Sequence, residues 1–252
     1  RSGAARRSQR MKRYLFIPQS SPGCLYSAVR LGHILERGGD EVLFATTSEY
    51  SIMLETRGLS CIGFRKNDVP FLHPSTWFHP ENAAPEVSQL RTVVEQFQPD
   101  IIVTNPLVLV GFVLAERYGV PLYNLAYTES LYPGARPGDE TKSWRLGAAT
   151  DYYNEYRRAL GLPPVAADPL TTPLYGDRCF VRSSPELYDG DDVQSRVEFI
   201  GDLYWEPTYE NTRLRRFCHR HREEGLPVIY VQMGRLFEDR ALWSELLSCF
   251  AQ

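Results

Sequence analysis

The first candidate reactive residues lie in a short turn between an apolar run and an amphipathic segment. The apolar run YLFI (14–17) ends at Pro18, and the turn PQSSPG (18–23) leads into Cys24. A helix N-terminus lowers the pKa of a thiol, so Cys24 is a candidate thiolate. The turn lacks the G-x-G-x-x-G pattern that lets a pyrophosphate approach the backbone, so a nicotinamide or flavin enzyme is not expected.

The histidines and the other cysteines do not suggest a metal site. The sequence has five cysteines at irregular spacing without a C-x-x-C pair, which fits reduced thiols better than a disulfide framework. Cys218, His219 and His221 fall on a predicted helix, where residues two apart point to different faces. His33 lies about two helical turns beyond Cys24 and is expected to be structural. We therefore expect no bound metal.

Apolar runs alternate with amphipathic segments along most of the chain, and these elements must position the turn. Strands are predicted at 14–17, 41–45, 60–64, 101–104, 121–126, 179–182 and 197–200. Helices are predicted through 25–35, 52–54, 87–97, 107–118 and 152–160. Strands and helices that alternate in this way predict an α/β fold with a doubly wound parallel sheet and right-handed crossovers.

Two long loops interrupt the alternation. Residues 65–85 are rich in proline, histidine and aromatic residues, including Trp77 and Phe78, and residues 129–143 are rich in glycine and proline. Both loops follow the carboxyl ends of predicted strands, where open α/β sheets bind their ligands. Loops of this length are either functional or disordered.

The alternation of strands and helices starts again near the end of the chain. Residues 202–212 read as a linker, a charged helix follows, and 228–233 (VIYVQM) and 236–250 are predicted as a strand and a helix. These few elements cannot bury a core of their own, so we expect the second domain to be truncated. The predicted organisation is a tag remnant or disordered extension (1–10), a first domain (11–204), a linker and connecting helix (205–224) and the start of a second domain (225–252).

Composition excludes several classes of function. The 252 residues are 43% hydrophobic and 23% charged, with a net charge of −3 and no basic stripe, which argues against nucleic-acid binding. The arginines of 213–222 alternate with other residues and read as a solvated helix face. No apolar run reaches the ~18 residues that would span a bilayer, and no signal peptide is visible. The expected location is cytoplasmic.

From Met11 onward, the order and spacing of these segments resemble family 1 glycosyltransferases of the GT-B fold, which include natural-product and macrolide enzymes. The matching segments are PGCLYSAVRLGHIL, RGGDEVLFATT, QPDIIVTNPLVLVGFVLAERYGVPLYNL, RRALGLPP, SSPELYD, FIGDLY and PVIYVQMGRLFED. The resemblance implies two facing Rossmann-like domains, of which the first binds the acceptor and the second the nucleotide sugar. It also implies inversion by direct displacement without a metal, and a nucleotide-recognition motif beyond residue 252.

The resemblance assigns catalytic positions, and this sequence departs from the family at both. In the resembled enzymes, a histidine in the first turn takes the proton of the acceptor and an aspartate after the fourth strand orients it. Cys24 aligns with that histidine and Asn105 with that aspartate. A thiolate base at Cys24, a different base such as Glu129, an acceptor that is already nucleophilic, and a protein that has lost transfer all remain open. An inert, buried Cys24 is the purely structural explanation.

The resemblance also implies binding residues. Acceptor contacts are expected from Gln19, Ser20, Gly23, Trp77, Phe78, Tyr127 and Glu129. Gly234 and Arg235 follow the first donor-domain strand, where the resembled enzymes carry Gly and then Ser or Thr near the diphosphate. A guanidinium binds phosphate well, although an exposed Arg235 paired with Glu238 is the alternative.

Together these features predict an inverting, metal-independent hexosyltransferase that moves a sugar from a nucleotide-sugar donor to a small, hydrophobic natural-product acceptor. The nucleotide sugar is a co-substrate and no cofactor is expected, while a homodimer is compatible with the sequence. This chain alone is expected to be inactive. The alternative is a non-catalytic, GT-B-like binding or auxiliary protein that has lost the His/Asp dyad, and a sugar-nucleotide epimerase is a weaker third option.

Overall fold

The computed structural model of the protein describes most of the chain. The described residues are 10–65, 79–126, 140–168, 170–182, 196–205, 207, 212–231 and 240–249. The chain separates into two compact units, residues 1–206 and residues 207–252. No helix within the described ranges is long and apolar enough to cross a membrane.

The first unit is built on a parallel sheet. Its described strands are β1 (Arg13–Ile17), β2 (Glu41–Thr47), β3 (Cys61–Phe64), β4 (Ile101–Thr104), β5 (Leu122–Ala126), β6 (Arg178–Val181) and β7 (Val197–Phe199). The spatial order is β3-β2-β1-β4-β5-β6-β7, and every neighbouring pair is parallel. The prediction of a doubly wound parallel sheet is therefore confirmed.

Helices connect the strands and flank the sheet. The first unit holds α1 (Pro22–Arg37), α2 (Ser48–Glu55), α3 (Ala83–Phe97), α4 (Leu109–Tyr118) and α5 (Glu140–Ala159), with short 3₁₀ helices at Pro80–Asn82 and Pro173–Tyr175. The second unit holds α6 (Thr212–Glu223) and α7 (Arg240–Cys249).

The sheet separates two hydrophobic cores. Leu15 and Ile17 of β1 are buried with apolar side chains of α3, α4 and α5, whereas Tyr14 and Phe16 are buried with those of α1 and α2. Successive side chains of a strand point to opposite faces, so a central strand covered on both faces must be apolar throughout. This double burial explains why β1 reads as the unbroken apolar run YLFI.

Helix α1 is bounded by proline and glycine and packs very closely on β2. Pro22 starts the helix, where a missing N–H costs nothing, and Gly39 follows its end at a φ of 92°, which glycine adopts without strain. A Cβ added at Gly32 would lie 2.8 Å from Cζ of Phe44. Phe44 is fully buried and its ring stacks on Phe16, so α1 can approach the sheet only because residue 32 has no side chain.

The pairing of β1 with β4 positions the residues that follow both strands. Ile17 pairs with Thr104 at the carboxyl ends, and the Thr104 hydroxyl donates to the Ile17 carbonyl over 3.0 Å. The chain continues from these positions into the turn after β1 and into Asn105. Those two segments therefore lie side by side at the edge of the sheet.

Two helices of the first unit differ from the predictions at their starts. α5 begins at Glu140, so residues 140–143, predicted as loop, are helical. The helix formers of the α5 sequence override the turn signals of the preceding residues. α4 begins at Leu109 rather than at residue 107, because residues 105–108 form a turn in which the Val108 amide donates to the Asn105 carbonyl.

The second unit agrees with the prediction in its helix and differs from it in its strand. α6 has no buried residue, as expected for a solvated, arginine-rich helix. Residues 226–231 are irregular and mostly exposed, so the predicted strand 228–233 is wrong for its described part, 228–231. A strand needs a hydrogen-bonded neighbour, and the described part of residues 207–252 contains helices and no other strand.

Candidate functional site

The candidate site lies at the carboxyl ends of β1 and β4. These strands are neighbours, yet the chain leaves β1 toward β2 on one side and β4 toward β5 on the other. Open α/β sheets bind ligands at such a reversal of strand order, because the two outgoing connections leave a crevice between them. The turn after β1, predicted to carry the site, opens into this position.

Asn105 ties three strand ends together. Its Oδ1 accepts the Gln19 backbone N–H over 3.1 Å, and its Nδ2 donates to the Leu125 carbonyl over 2.9 Å. Asn105 is only 1% exposed, so both bonds are shielded from water. A carboxamide has no proton to exchange near neutral pH. Asn105 therefore holds the turn after β1 in place and cannot act as a base.

Ser20 fixes the same turn to the end of β2. Its Oγ lies 2.9 Å from the Thr46 hydroxyl and accepts the Thr47 backbone N–H over 3.2 Å. Both hydroxyls are buried, and their hydrogen bonds are internal. Ser20 thus shapes the crevice, while its contacts with an acceptor remain a prediction.

Cys24 is buried in the first turn of α1. Its Sγ donates to Oε1 of Gln19 over 3.4 Å, and its side chain is 5% exposed. Burial raises the pKa of the Cys24 thiol, although a hydrogen bond from Ser21 and the charge of Arg182 act in the opposite direction. Desolvation therefore outweighs the hydrogen bond and the positive charge that favour a thiolate. A neutral thiol at physiological pH makes Cys24 a poor base.

The side-chain amide of Gln19 has an unused donor. Gln19 is 4% exposed, and its Nε2 is buried without a hydrogen-bond partner. The other end of the amide, Oε1, lies 3.4 Å from Cys24 Sγ and 3.5 Å from Ser21 Oγ. The amide is therefore held against the first turn of α1 by one end only. A buried N–H without a partner is unusual, because it loses water without gaining a bond.

Arg182, which sequence reasoning missed, adds a positive charge to this group. It follows the carboxyl end of β6 and is close enough to lower the pKa of Cys24. The available signal was a basic residue at the last position of the predicted strand 179–182. Such a residue is common, and the sequence did not show that β6 ends near α1.

Several predicted site residues lie outside the described residues. They are Trp77, Phe78, Tyr127 and Glu129, expected at the acceptor, and Gly234 and Arg235, expected at the donor diphosphate. Within the described ranges, no group of three or more His, Cys, Asp or Glu side chains could hold a metal ion. His33 lies near Glu36 and the ring of Trp205, and its structural role stays a prediction.

Buried polar groups on the other side of the sheet serve packing. Arg157 forms an ion pair with Glu116 of α4, and the Tyr156 hydroxyl donates to the buried carboxylate of Glu86 in α3 over 2.7 Å. Burial raises the pKa of Tyr153 to about 12, so this hydroxyl stays neutral. These contacts brace α5 against α3 and α4.

A cavity of about 620 Å³ lies at the amino ends of β5 to β7, on the edge opposite the candidate site. Its polar side chains support the backbone: Asp177 accepts the Leu122 N–H over 2.7 Å, and Arg196 donates to the Gly176 carbonyl over 3.3 Å. With these groups already engaged, the cavity offers a ligand little polar recognition.

The chain was compared with known protein families, curated proteins and solved structures. No protein-family model and no curated protein matches the chain. Among solved structures, the chain is similar to the glycotransferase of kitacinnamycin, with a TM-score of 0.57 and 18% identity over 80% of this chain and 54% of that one. The calicheamicin glycosyltransferase CalG4 gives a TM-score of 0.54 and 14% identity over 81% of this chain and 57% of that one.

A third structure agrees with these two. The glycosyltransferase SnogD from Streptomyces nogalater matches with a TM-score of 0.51 and 18% identity, over 79% of this chain and 54% of its own. This chain thus spans 54% to 57% of the length of these three structures. At such low identity, the structural similarity shows a common fold and nothing further. The chain has the Rossmann-like α/β fold found in GT-B glycosyltransferases.

Proposed function

We propose that this chain carries the acceptor-binding domain of an inverting glycosyltransferase that moves a sugar from a nucleotide-sugar donor to a small natural-product acceptor. The structural neighbours with this fold are glycosyltransferases, and two of them are named for natural products, kitacinnamycin and calicheamicin. Because this chain spans about half of their length, most of the donor site would belong to sequence outside it.

The observation that carries the proposal is the group of hydrogen-bonded side chains that follows β1 and β4, where the strand order reverses. Gln19, Cys24 and Asn105 come from different parts of the fold and meet there through contacts of 3.1 Å and 3.4 Å. Asn105 and Ser20 hold the turn, which leaves the Gln19 side-chain amide and the start of α1 to face an acceptor. Polar groups held rigidly by other hydrogen bonds are the arrangement that positions a nucleophile.

The proposed chemistry is a direct displacement at the anomeric carbon. The acceptor oxygen attacks the face opposite the diphosphate, so the sugar changes its anomeric configuration. Arg235 and Gly234, which lie outside the described residues, are proposed to bind the departing diphosphate. No step is assigned to a metal.

Mass spectrometry of aromatic acceptors incubated with the natural protein and a panel of nucleotide sugars tests the proposal. A gain of one sugar mass is expected, with inverted configuration by NMR and no loss on addition of a chelator. Arg235→Ala should abolish the gain, while Arg178→Ala, in an exposed ion pair with Glu198, should retain it. A panel that yields no transfer product contradicts the proposal.

A second candidate function is a non-catalytic GT-B-like binding or auxiliary protein. The neutral, buried Cys24 and the doubly bonded Asn105 favour it, because neither can serve as a general base. This alternative predicts acceptor binding without transfer with every donor tried. It also predicts that Cys24→Ala leaves acceptor affinity unchanged.

A further inference from the structure

We propose that the crevice after β1 and β4 takes the reacting group of the acceptor as an oxyanion, a phenolate or a carboxylate, rather than as a neutral alcohol. The inference rests on the proposed function, since it names the chemical class of acceptor for the same site. Three independent features of the described residues support it: the start of α1, the amide of Gln19 and the charge of Arg182.

The start of α1 presents an unoccupied donor. α1 has 16 residues, Pro22 has no N–H, and the N-cap Ser21 makes no side-chain capping bond. The Gly23 N–H has no acceptor among the described residues, and a Cβ added at Gly23 would meet nothing within 4 Å. The positive end of the helix dipole therefore opens onto free space, which suits an anion.

The Gln19 amide supplies a second donor at the same place. Its Nε2 is buried without a partner, and its Oε1 contacts Ser21 and Cys24 in the first turn of α1. The unused N–H thus belongs to a group fixed against the helix start, and an acceptor oxygen placed there would satisfy it. A hydrogen bond to an oxyanion is roughly twice as strong as one to a neutral oxygen.

The charged and titratable groups around the turn after β1 also favour binding of an anion there. Thr46, in β2, and Asn105, after β4, contact the turn, and neither titrates near neutral pH, nor does Ser20 within the turn. From α1 the titratable group is Cys24, whose pKa is raised by burial, and from the end of β6 the charged group is Arg182. Of these groups, Arg182 carries the full charge, and that charge is positive.

The described groups at the turn favour a reaction in which none of them acts as a base. An alcohol would have to lose its proton during attack, and the described groups at the turn offer none that could accept it. A phenolate or carboxylate arrives deprotonated. Its oxygen forms the new bond to the anomeric carbon as the bond from that carbon to the diphosphate breaks. The bonding electron pair leaves with the nucleoside diphosphate, and no proton is exchanged with the protein.

A chromogenic nitrophenol reports directly on the ionisation of the bound ligand. The 252-residue chain is titrated into the nitrophenol about one pH unit below its pKa, and the phenolate absorbance is followed. We expect binding to lower the pKa of the phenol by about one unit, a tenfold preference for the anion. A bound nitrophenol whose pKa is unchanged or raised overturns the inference.

Variants locate the effect. Gln19→Leu and Arg182→Gln should each weaken phenolate binding about tenfold, while binding of the nitrophenol methyl ether changes little. Arg178→Gln, at the other end of β6, is the matched control and should behave as wild type. If circular dichroism shows that Gln19→Leu does not fold, the test rests on Arg182→Gln. A phenolate affinity of Arg182→Gln equal to that of wild type contradicts the proposed site. Inorganic phosphate that competes as well as benzoate would assign the site to phosphate and overturn the acceptor assignment.

Transfer by the natural protein separates the failure of this inference from that of the proposed function. A phenol and the corresponding benzyl alcohol present the same ring with very different acidity. We expect glycosylation of the phenol alone. Equal glycosylation of both refutes the oxyanion inference and leaves the transferase proposal standing. Phenolate binding without transfer to either compound refutes the transferase proposal and supports the oxyanion site.

Discussion

Replacing Asn105 by aspartate changes one atom of a side chain that joins three strand ends. In the native protein, Nδ2 donates to the Leu125 carbonyl over 2.9 Å, while Oδ1 accepts the Gln19 N–H over 3.1 Å. In the Asn105→Asp variant, an ionised carboxylate would keep the bond from Gln19 and strengthen it. The same carboxylate would also place a charged oxygen against the Leu125 carbonyl oxygen in a buried site.

The loss of stability expected for Asn105→Asp can be worked out from these contacts. Leaving the Leu125 carbonyl without a donor costs about 1–3 kcal/mol, and burying the charge adds a further penalty. The charge-assisted bond from Gln19 offsets about 1 kcal/mol. We expect a net loss of about 3 kcal/mol in the free energy of unfolding at pH 7. For a unit of this size, that loss corresponds to a Tm lower by roughly 6–12 °C.

The pH dependence has a defined sign. A protonated aspartate can donate its O–H to the Leu125 carbonyl, so the buried site favours the neutral form and raises the pKa of the introduced carboxyl group. A loss of about 3 kcal/mol corresponds to a shift of roughly two units, from about 4 in the unfolded chain to about 6. Stability should approach that of wild type below pH ~4 and be lost as the pH rises through ~6.

Urea unfolding of variant and wild type, compared at pH 4 and at pH 7, measures the difference. Asn82→Asp is the matched control, because Asn82 is the partly exposed N-cap of α3, where a carboxylate favours the helix dipole. We expect it to be neutral or slightly stabilising at pH 7. A deficit for Asn105→Asp that is equal at both pH values, or absent, would refute the bridging role of Asn105.

Three further substitutions test other parts of the reasoning. Gly32→Ala should destabilise the chain by about 1–3 kcal/mol in urea unfolding, because its Cβ would lie 2.8 Å from Phe44, whereas Gly23→Ala in the same helix meets no atom and should not. Cys24→Ala should leave the transfer rate of the natural protein within about twofold, since a rate loss of 100-fold or more would mark the thiol as the base. Tyr156→Phe should cost about 2 kcal/mol by removing a hydrogen bond to the buried carboxylate of Glu86, and an unchanged midpoint in urea would show that this bond contributes nothing.

Much of the fold could be predicted because each strand is buried on both faces. The run YLFI of β1 and the run IIVT of β4 leave no polar face, so a parallel sheet covered by helices was the natural expectation. Glycines marked helix ends in the same way, as Gly119 does after α4 at a φ of 61°. These signals are local and need no knowledge of the tertiary contacts.

The contacts at the site could not be predicted in this way. The bond between Ser20 and Thr46 and the approach of Arg182 to Cys24 depend on how strands β2 and β6 are placed beside β1 and α1. The sequence argument for a Cys24 thiolate considered the helix dipole alone. Its outcome depended on the depth of burial, which no local pattern contains. The strand predicted at 228–233 failed in its described part for a related reason, since a strand depends on its neighbours.

The bridge made by Asn105 also constrains the order in which substitutions at this site can accumulate. The resemblance drawn from the sequence aligns Asn105 with an aspartate, whereas in this chain the Leu125 carbonyl accepts a hydrogen bond from the amide of Asn105. A single change to aspartate would remove that donor before any histidine could exploit the new carboxylate. A mutational path from this chain to the family dyad therefore needs a new donor for Leu125 first. The backbone of Leu125 therefore limits which substitutions the chain tolerates at position 105.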